Sequence, residues 1–299
     1  MILLTGATGF LGSRLLKKLA EQGYDVVCVK RSTSDCRRVA GFFDRARWLD
    51  SDRIRLESMF VENKIEVVIH CATNYGRDDI HYFDAYESNL VFPLQLMKYA
   101  ERYGCRYFIN TSTFFVREIE QQRWNGRKVY MDAYVRSKDM FCMIARNHIE
   151  KTGMVFINLQ PEHIYGMDDH TEKFVDCLVK SLRENVPVIE LSAGTQKRDW
   201  IYIDDVVSAY MTVLDRLPCF APGSFHHFEV GTGKETSLKS FVLLAKEKLC
   251  SSSVLEFGKK QMYENELESS CAANEDLKKL GWKPQFDLEK GIEQMIEEK

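Results

Sequence analysis

A chain of 299 residues, 45% of them hydrophobic, is long enough to bury one large core or two smaller ones, which excludes a disordered protein. Its 41 basic and 44 acidic residues are interspersed and leave a net charge of -3, with no basic block to follow a phosphate backbone, so nucleic acid is excluded as a partner. The 9 cysteines form no Cys-x-x-Cys pair and no metal-ligand spacing with histidine, so they read as reduced thiols of a cytoplasmic protein, and no metal is expected.

The first apolar run, Ile2 to Leu4, predicts a buried strand and begins too near Met1 for a signal peptide to precede it. No later run approaches the roughly 18 apolar residues that cross a bilayer, so no membrane partner is expected. The strand passes through Gly6, Gly9 and Gly12 into the helical pattern Leu11, Leu15, Leu16, Leu19. A pyrophosphate needs backbone N–H groups aimed at it without Cβ atoms in the way, and a helix N-terminus favours its charge. Gly6, Thr8, Gly9, Phe10, Leu11 and Gly12 are therefore the expected dinucleotide contacts.

Tyr24 to Val29 reads as a second strand, ending in Lys30, Arg31 and Ser32. A carboxylate at this place would accept ribose hydroxyls, whereas arginine holds a 2′-phosphate, so the expected cofactor is NADP(H). Arg14, one turn into the first helix, is a second candidate for that phosphate. The alternative is that Lys30 and Arg31 are solvated charges at a strand end.

A short strand over Arg47 to Asp50, a helical stretch from Leu56 to Asn63 and a strand from Val67 to His70 continue the alternation that marks a parallel sheet. Cys71 and Ala72 fall where that strand meets the cofactor, and the loop Thr73 to Arg77 follows at the sheet edge where ligands bind. His70 beside Cys71 lacks further ligands and reads as core. Tyr86 to Glu101 has helical periodicity, carries Asn89, and is expected to bend at Pro93. The strand Tyr107 to Asn110 runs into three hydroxyls, Thr111, Ser112 and Thr113. Arg117 to Asp132, with Trp124, Asn125 and Gly126, is long enough to be a mobile active-site loop.

Tyr134 and Lys138 stand at i and i+4 on the predicted helix Ala133 to Ile149. That spacing puts both on one face, where an ammonium lowers the pKa of a phenol that starts near ~10 and readies it for proton transfer. Beyond Met167 the alternation fades. A helix over Lys173 to Glu184, a strand at Val188 to Leu191 and a helix from Val206 to Leu217 follow. A strand at Glu229 to Thr232, a helix over Leu238 to Leu249, a strand at Val254 to Phe257 and a helix from Leu288 to Glu298 complete a second lobe. The adjacent His226 and His227 would point to opposite faces of a strand. The expected division is 1–165, with 200–218 returning to it, for the dinucleotide, and 166–199 with 219–299 for the substrate.

The glycine turn, the hydroxyl strand end, Tyr134-x-x-x-Lys138, the segment Pro161 to Gly166, Arg198-Asp199 with its flanks, and the tail Gly281-Trp282-Lys283-Pro284 together resemble the extended short-chain dehydrogenase/reductase family over nearly the whole length. The resemblance implies an α/β fold, a Rossmann-type doubly wound parallel sheet with a smaller C-terminal α/β lobe. It implies that Thr113 bonds the substrate oxygen, that Tyr134 is the general acid or base, and that Lys138 holds the nicotinamide ribose. Cys71, Ala72 and Pro161 become further cofactor contacts. Arg198 would grip the diphosphate of a nucleotide sugar, bidentate to its oxygens, or else pair with Asp199. Tyr75, Arg77 and Asn89 become substrate contacts. His163 is either a diphosphate contact or a satisfied core histidine.

Two departures narrow the activity. Family dehydratases carry an Asp-Glu pair after the threonine where this chain has Phe114 and Phe115, and the cysteine of the GDP-fucose epimerase-reductases is also absent. A simple ketoreductase remains, and the Tyr75-Gly76-Arg77 loop, the Glu87-Ser88-Asn89 triplet and Glu162-His163-x-Tyr165-Gly166 are similar to those of the NADPH-dependent 4-ketoreductases of CDP-linked 3,6-dideoxyhexoses, which make donors for surface polysaccharide. The rivals are a redox-neutral nucleotide-sugar epimerase and a dinucleotide-sensing regulatory protein that has lost catalysis. The resemblance also implies a homodimer paired through the helices of Asn89 and Tyr134, where Met140, Phe141, Met143 and Ile144 form an apolar run.

Overall fold

A computed structural model describes residues 1–76, 82–117, 131–169, 173–262 and 267–297. Its strands are β1 (Ile2–Thr5), β2 (Val26–Lys30), β3 (Arg47–Asp50), β4 (Val67–His70), β5 (Tyr107–Thr111), β6 (Val155–Pro161), β7 (His163–Tyr165), β8 (Val188–Leu191), β9 (Lys197–Tyr202), β10 (Phe225–Val230), β11 (Glu235–Ser237) and β12 (Val254–Phe257). The described chain divides into two compact units, residues 1–117, 131–160 and 210–228 in one and 161–209 and 229–297 in the other. This division differs from the expected one at 161–165, 200–209 and 219–228.

The first unit is built on a seven-stranded sheet in the order β10-β6-β5-β4-β1-β2-β3. Each strand from β1 to β6 runs parallel to its neighbours. Helices cover both faces, so β1, β4, β5 and β6 are buried at every residue and read as continuous apolar runs rather than alternating ones. The order reverses between β1 and β4, and the ends of those two strands form the crevice in which doubly wound sheets take ligands. Phe108, Phe156 and Phe225 stack across three neighbouring strands at 5.4 Å between successive rings, with Phe141 against the first two. Burial of each such ring contributes about 2–3 kcal/mol.

Two expectations are corrected here. The strand placed at Glu229 to Thr232 is β10, at Phe225–Val230, and it joins the large sheet instead of completing the second lobe. Phe156 N donates to Ser224 O and Glu162 N to Val230 O, both at 2.9 Å, so the pairing advances equally along both strands and is parallel. The polar pair His226-His227 masked its apolar character. The helix drawn over Tyr86 to Glu101 is a short helix, Tyr82–Tyr86, a π-helical turn, Glu87–Val91, and a helix, Phe92–Arg102. Pro93 follows the π-helical turn with helical backbone on both sides, so the bond that its missing N–H cannot make falls within that turn, and the irregularity lies where a proline disturbs a helix. Arg37–Arg45, which has no periodic pattern, forms 3₁₀ turns.

In the second unit, β9 lies between β11, antiparallel, and β7, parallel, so the Arg198-Asp199 segment is a central strand. β8 and β12 pair separately. The tail is held by Asp205, whose carboxylate accepts from Gln285 N at 2.7 Å and Phe286 N at 3.0 Å, while Trp282 Nε1 donates to Ser208 Oγ at 2.8 Å. Among the described residues no helix is long and apolar enough to cross a membrane, and no group of three or more His, Cys, Asp or Glu could hold a metal ion.

Candidate active site

β1 ends in a turn whose glycines differ in what they do. Gly6 has φ +71°, and a Cβ there would lie 2.5 Å from Ala72 N. On Gly12 a Cβ would lie 2.1 Å from Gly6 O. These two glycines let the helix Phe10–Glu21 press onto β1 and the end of β4. Gly9 is different, because its Cβ would meet only Gly6 O, at 3.2 Å. It is also the N-cap, with no side chain to cap the helix, so the first amides of the helix, Phe10, Leu11 and Gly12, point out of its end. Thr8, Phe10 and Leu11 are partly open around that mouth. The glycine that packing does not demand stands beside uncapped amides, and this fits a pyrophosphate.

The end of β2 is less simply basic than its sequence. Pairing with β3 brings in two carboxylates: Lys30 Nζ bonds Asp50 at 2.6 Å, and Asp52 accepts from Ser32 N at 2.8 Å and from Ser32 Oγ. Lys30 and Ser32 are thus both engaged within the chain. Arg31 is exposed. Arg14 is partly buried on the first helix.

The three hydroxyls after β5 are sorted by their partners. Thr111 Oγ1 shares a 2.6 Å bond with Tyr210 OH and reaches Cys71 Sγ at 3.2 Å. Ser112 bonds Cys142. Thr113 bonds the Tyr134 phenol. Tyr134 and Thr113 are buried, and the Tyr75 ring lies 5.0 Å from that of Tyr134. Lys138, one turn further along the helix Asp132–Ile149, donates from Nζ to Thr111 O at 2.6 Å and lies 5.7 Å from the Tyr134 ring centre.

The electrostatics run against the simple expectation. Burial pushes the Tyr134 phenol well above its ordinary range and Tyr75 adds to this, with only the Thr113 bond acting the other way. Burial also pulls Lys138 down to about 8, opposed by the Cys142 and Cys71 thiols. In the chain by itself desolvation dominates, so the phenol is protonated and placed to donate. His70 is fully buried, pulled down to about 3, and bonds Thr5 Oγ1 at 2.8 Å, a core role as expected.

Asn89, expected to contact substrate, is occupied. Its Oδ1 accepts from Asn74 N at 2.8 Å and Thr73 Oγ1 at 3.3 Å, and its Nδ2 donates to Asn74 O at 2.7 Å and Ser137 Oγ at 3.1 Å. The π-helical turn aims this amide inward, and it ties the loop after β4 to the helix of Tyr134. Asn89→Ala leaves those groups short of partners and is expected to cost about 2–4 kcal/mol. A lowered urea midpoint with unchanged m-value checks this, and an unmoved midpoint would show that the amide is no clamp.

In the second unit Arg198 is buried and donates from Nη1 to Lys197 O at 2.7 Å. The Asp199 carboxylate is engaged by backbone and hydroxyl, accepting from Thr232 N, Thr232 Oγ1 and Gly233 N at 2.9, 2.6 and 2.8 Å. The His163 ring stands 4.4 Å from Trp200 and is pulled down to about 3 by burial, with Arg198 and Lys173 adding to it. Lys173 was missed in the sequence. It precedes the helix Phe174–Arg183 and bonds Asp169 at 2.9 Å, so two cations and a helix N-terminus share this region. A lysine at a predicted helix start was the available signal. Pro161 closes β6 and is buried. Arg77, and the greater part of the expected mobile loop with Trp124, Asn125 and Gly126, lie outside the described residues.

Residues 2–231 match the NAD dependent epimerase/dehydratase family. The chain is 32% identical over 299 residues to a CDP-abequose synthase of Salmonella typhimurium, covering 99% of this chain and 97% of that one. Its fold is similar to that of the UDP-glucose 4-epimerase of Thermotoga maritima solved with UDP-glucose, with a TM-score of 0.84 at 23% identity and coverage of 99% and 97%. The UDP-glucose 4-epimerase of Thermus thermophilus, solved in complex with NAD, is similar with a TM-score of 0.78 at 22% identity, again over 99% and 97% of the two chains. With 230 residues inside the family's bounds and relatives matched from end to end, the chain belongs to the NAD dependent epimerase/dehydratase family.

Proposed function

We propose that this protein reduces the 4-keto group of a nucleotide-linked 6-deoxy or 3,6-dideoxy hexose, with NADPH as reductant and a CDP-linked sugar favoured. The observation that carries this reading is the Thr113–Tyr134 hydrogen bond, which sets a buried, protonated phenol beside a hydroxyl, with no carboxylate from 71–76 or 111–116 next to them. The relative named a CDP-abequose synthase supports the nucleotide and the sugar class.

The cofactor, when bound, supplies a hydride to C4. The turn Gly6 to Gly12 would hold its pyrophosphate on the uncapped amides, and Arg31, with Arg14, its 2′-phosphate. Cys71, Ala72 and Pro161 would border it, and the Lys138 ammonium would hold its ribose. Thr113 orients the ketone oxygen by a hydrogen bond, and Tyr134 gives its proton to that oxygen as the C–O bond becomes an alkoxide. Loss of that proton from a buried phenol is eased by Lys138, whose charge lies one turn away. Arg198 and Lys173, with His163 neutral beside them, would hold the diphosphate. Exposed Met140, Met143 and Ile144 on the helix of Tyr134 support pairing with a second copy.

Consumption of one NADPH per CDP-linked 4-keto-6-deoxy or 4-keto-3,6-dideoxy hexose is the test. Interconversion of sugar epimers without net loss of NADPH would instead establish an epimerase. For the cofactor, Arg31→Ala is expected to weaken NADPH about tenfold or more while NADH changes little, since a guanidinium–phosphate pair is among the strong charge-assisted contacts. Equal loss for both cofactors in a binding titration would remove Arg31 from that role.

A further inference from the structure

The ends of β4 and β5 carry an aromatic surface that the proton donor does not use up. The Tyr75 ring is tilted by 42° against that of Tyr134. Its backbone is fixed on both sides, because Asn89 holds the N–H and C=O of Asn74, and the Asn74 side chain accepts from Gly76 N at 2.9 Å. Beyond β5, the Phe115 N–H donates to Thr113 Oγ1 at 3.4 Å, and its ring stacks on Phe114 at 4.1 Å. Phe114 is buried, whereas Tyr75 and Phe115 are each partly open. Neither Cys71 to Gly76 nor Thr111 to Val116 holds a charged residue. The oxygen-binding pair therefore has the Tyr75 ring against its phenol, and its threonine is tied by a hydrogen bond to the backbone of the partly open Phe115.

We propose that Tyr75 and Phe115 are specificity-determining residues that select a hexose carrying a methylene, not a hydroxylated carbon, next to the carbonyl being reduced. This rests on the 4-ketoreductase reading above. A hydroxyl at that carbon loses its water when the sugar binds and finds no partner on an aromatic face, whereas a methylene packs against it. An apolar wall rejects an added hydroxyl by no more than about 10²-fold, which sets the size of the effect.

The test is binding of a CDP-6-deoxyhexose and of its 3-deoxy counterpart to the full chain carrying NADP+, by titration calorimetry. The 3-deoxy sugar is expected to bind about 10- to 100-fold tighter. Phe115→Ser should bring the ratio to within about threefold, mainly by gaining on the hydroxylated sugar, while Phe115→Leu keeps it. A wild-type ratio near one, or a Phe115→Ser ratio equal to wild type, overturns the assignment. Should Phe115→Ser fail to fold, Tyr75→Ser carries the same expectations. Affinities are read here without turnover, so failure of the reduction itself, seen as no NADPH consumption, is a separate result.

Discussion

Tyr134→Phe is expected to lower turnover by about 10²- to 10⁴-fold, the range over which a positioned general acid contributes. The substitution removes one oxygen and leaves the ring, so the contact with Tyr75 at 5.0 Å and the buried packing of the helix Asp132–Ile149 are kept. Thr113 loses one partner, a change of about 1 kcal/mol in stability, too small to unfold the chain. Lys138 is anchored to Thr111 O and not to the phenol, so its place is unchanged and cofactor affinity should stay within about threefold of wild type. Steady-state NADPH oxidation, with the cofactor dissociation constant measured alongside, separates the two effects. Turnover within about tenfold of wild type would mean that water or another group donates the proton, and the reading built on Tyr134 would fail.

The local parts of this site were legible because each is written within a few residues. The three glycines declare a turn, the i and i+4 spacing of Tyr134 and Lys138 puts them on one helix face, and β1, β4 and β5 announce themselves as apolar runs between turn residues. What stayed hidden depends on neighbours far along the chain. Asp50 and Asp52 reach the end of β2 only because β3 pairs with it, so a cofactor preference read from Lys30 to Ser32 alone overlooked two carboxylates. Asn89 stands on a helix in sequence, yet a π-helical turn aims its amide at the loop after β4. Tyr134 was judged by its cationic neighbour, while the larger influence is burial, which no spacing reports. β10 escaped because two histidines and Glu229 interrupt its apolar face, and only the sheet order shows where it belongs.

Alanine at Gly12 and alanine at Gly9 should fail in different ways. At Gly12 the new methyl would stand 2.1 Å from Gly6 O and 2.7 Å from Gly6 C, backbone atoms that cannot swing aside. The helix Phe10–Glu21 must then move off β1, separating the buried Leu15, Leu16 and Leu19 from their contacts. A loss of about 3 kcal/mol or more is expected, with dinucleotide affinity lost along with the fold of the turn. At Gly9 the backbone is extended, with φ -80° and ψ 176°, a conformation alanine adopts freely, and the methyl meets one carbonyl at 3.2 Å. Stability should fall by about 1 kcal/mol, the margin by which alanine is the poorer N-cap. The methyl nevertheless projects beside the amides of Phe10 and Leu11, where a pyrophosphate must approach the backbone. Dinucleotide affinity is therefore expected to drop at least about tenfold in a protein that melts close to wild type. Calorimetric binding set beside thermal unfolding of both variants checks this. Wild-type affinity in Gly9→Ala would mean that the turn after β1 is a packing device, and the cofactor would have to be sought elsewhere in the chain.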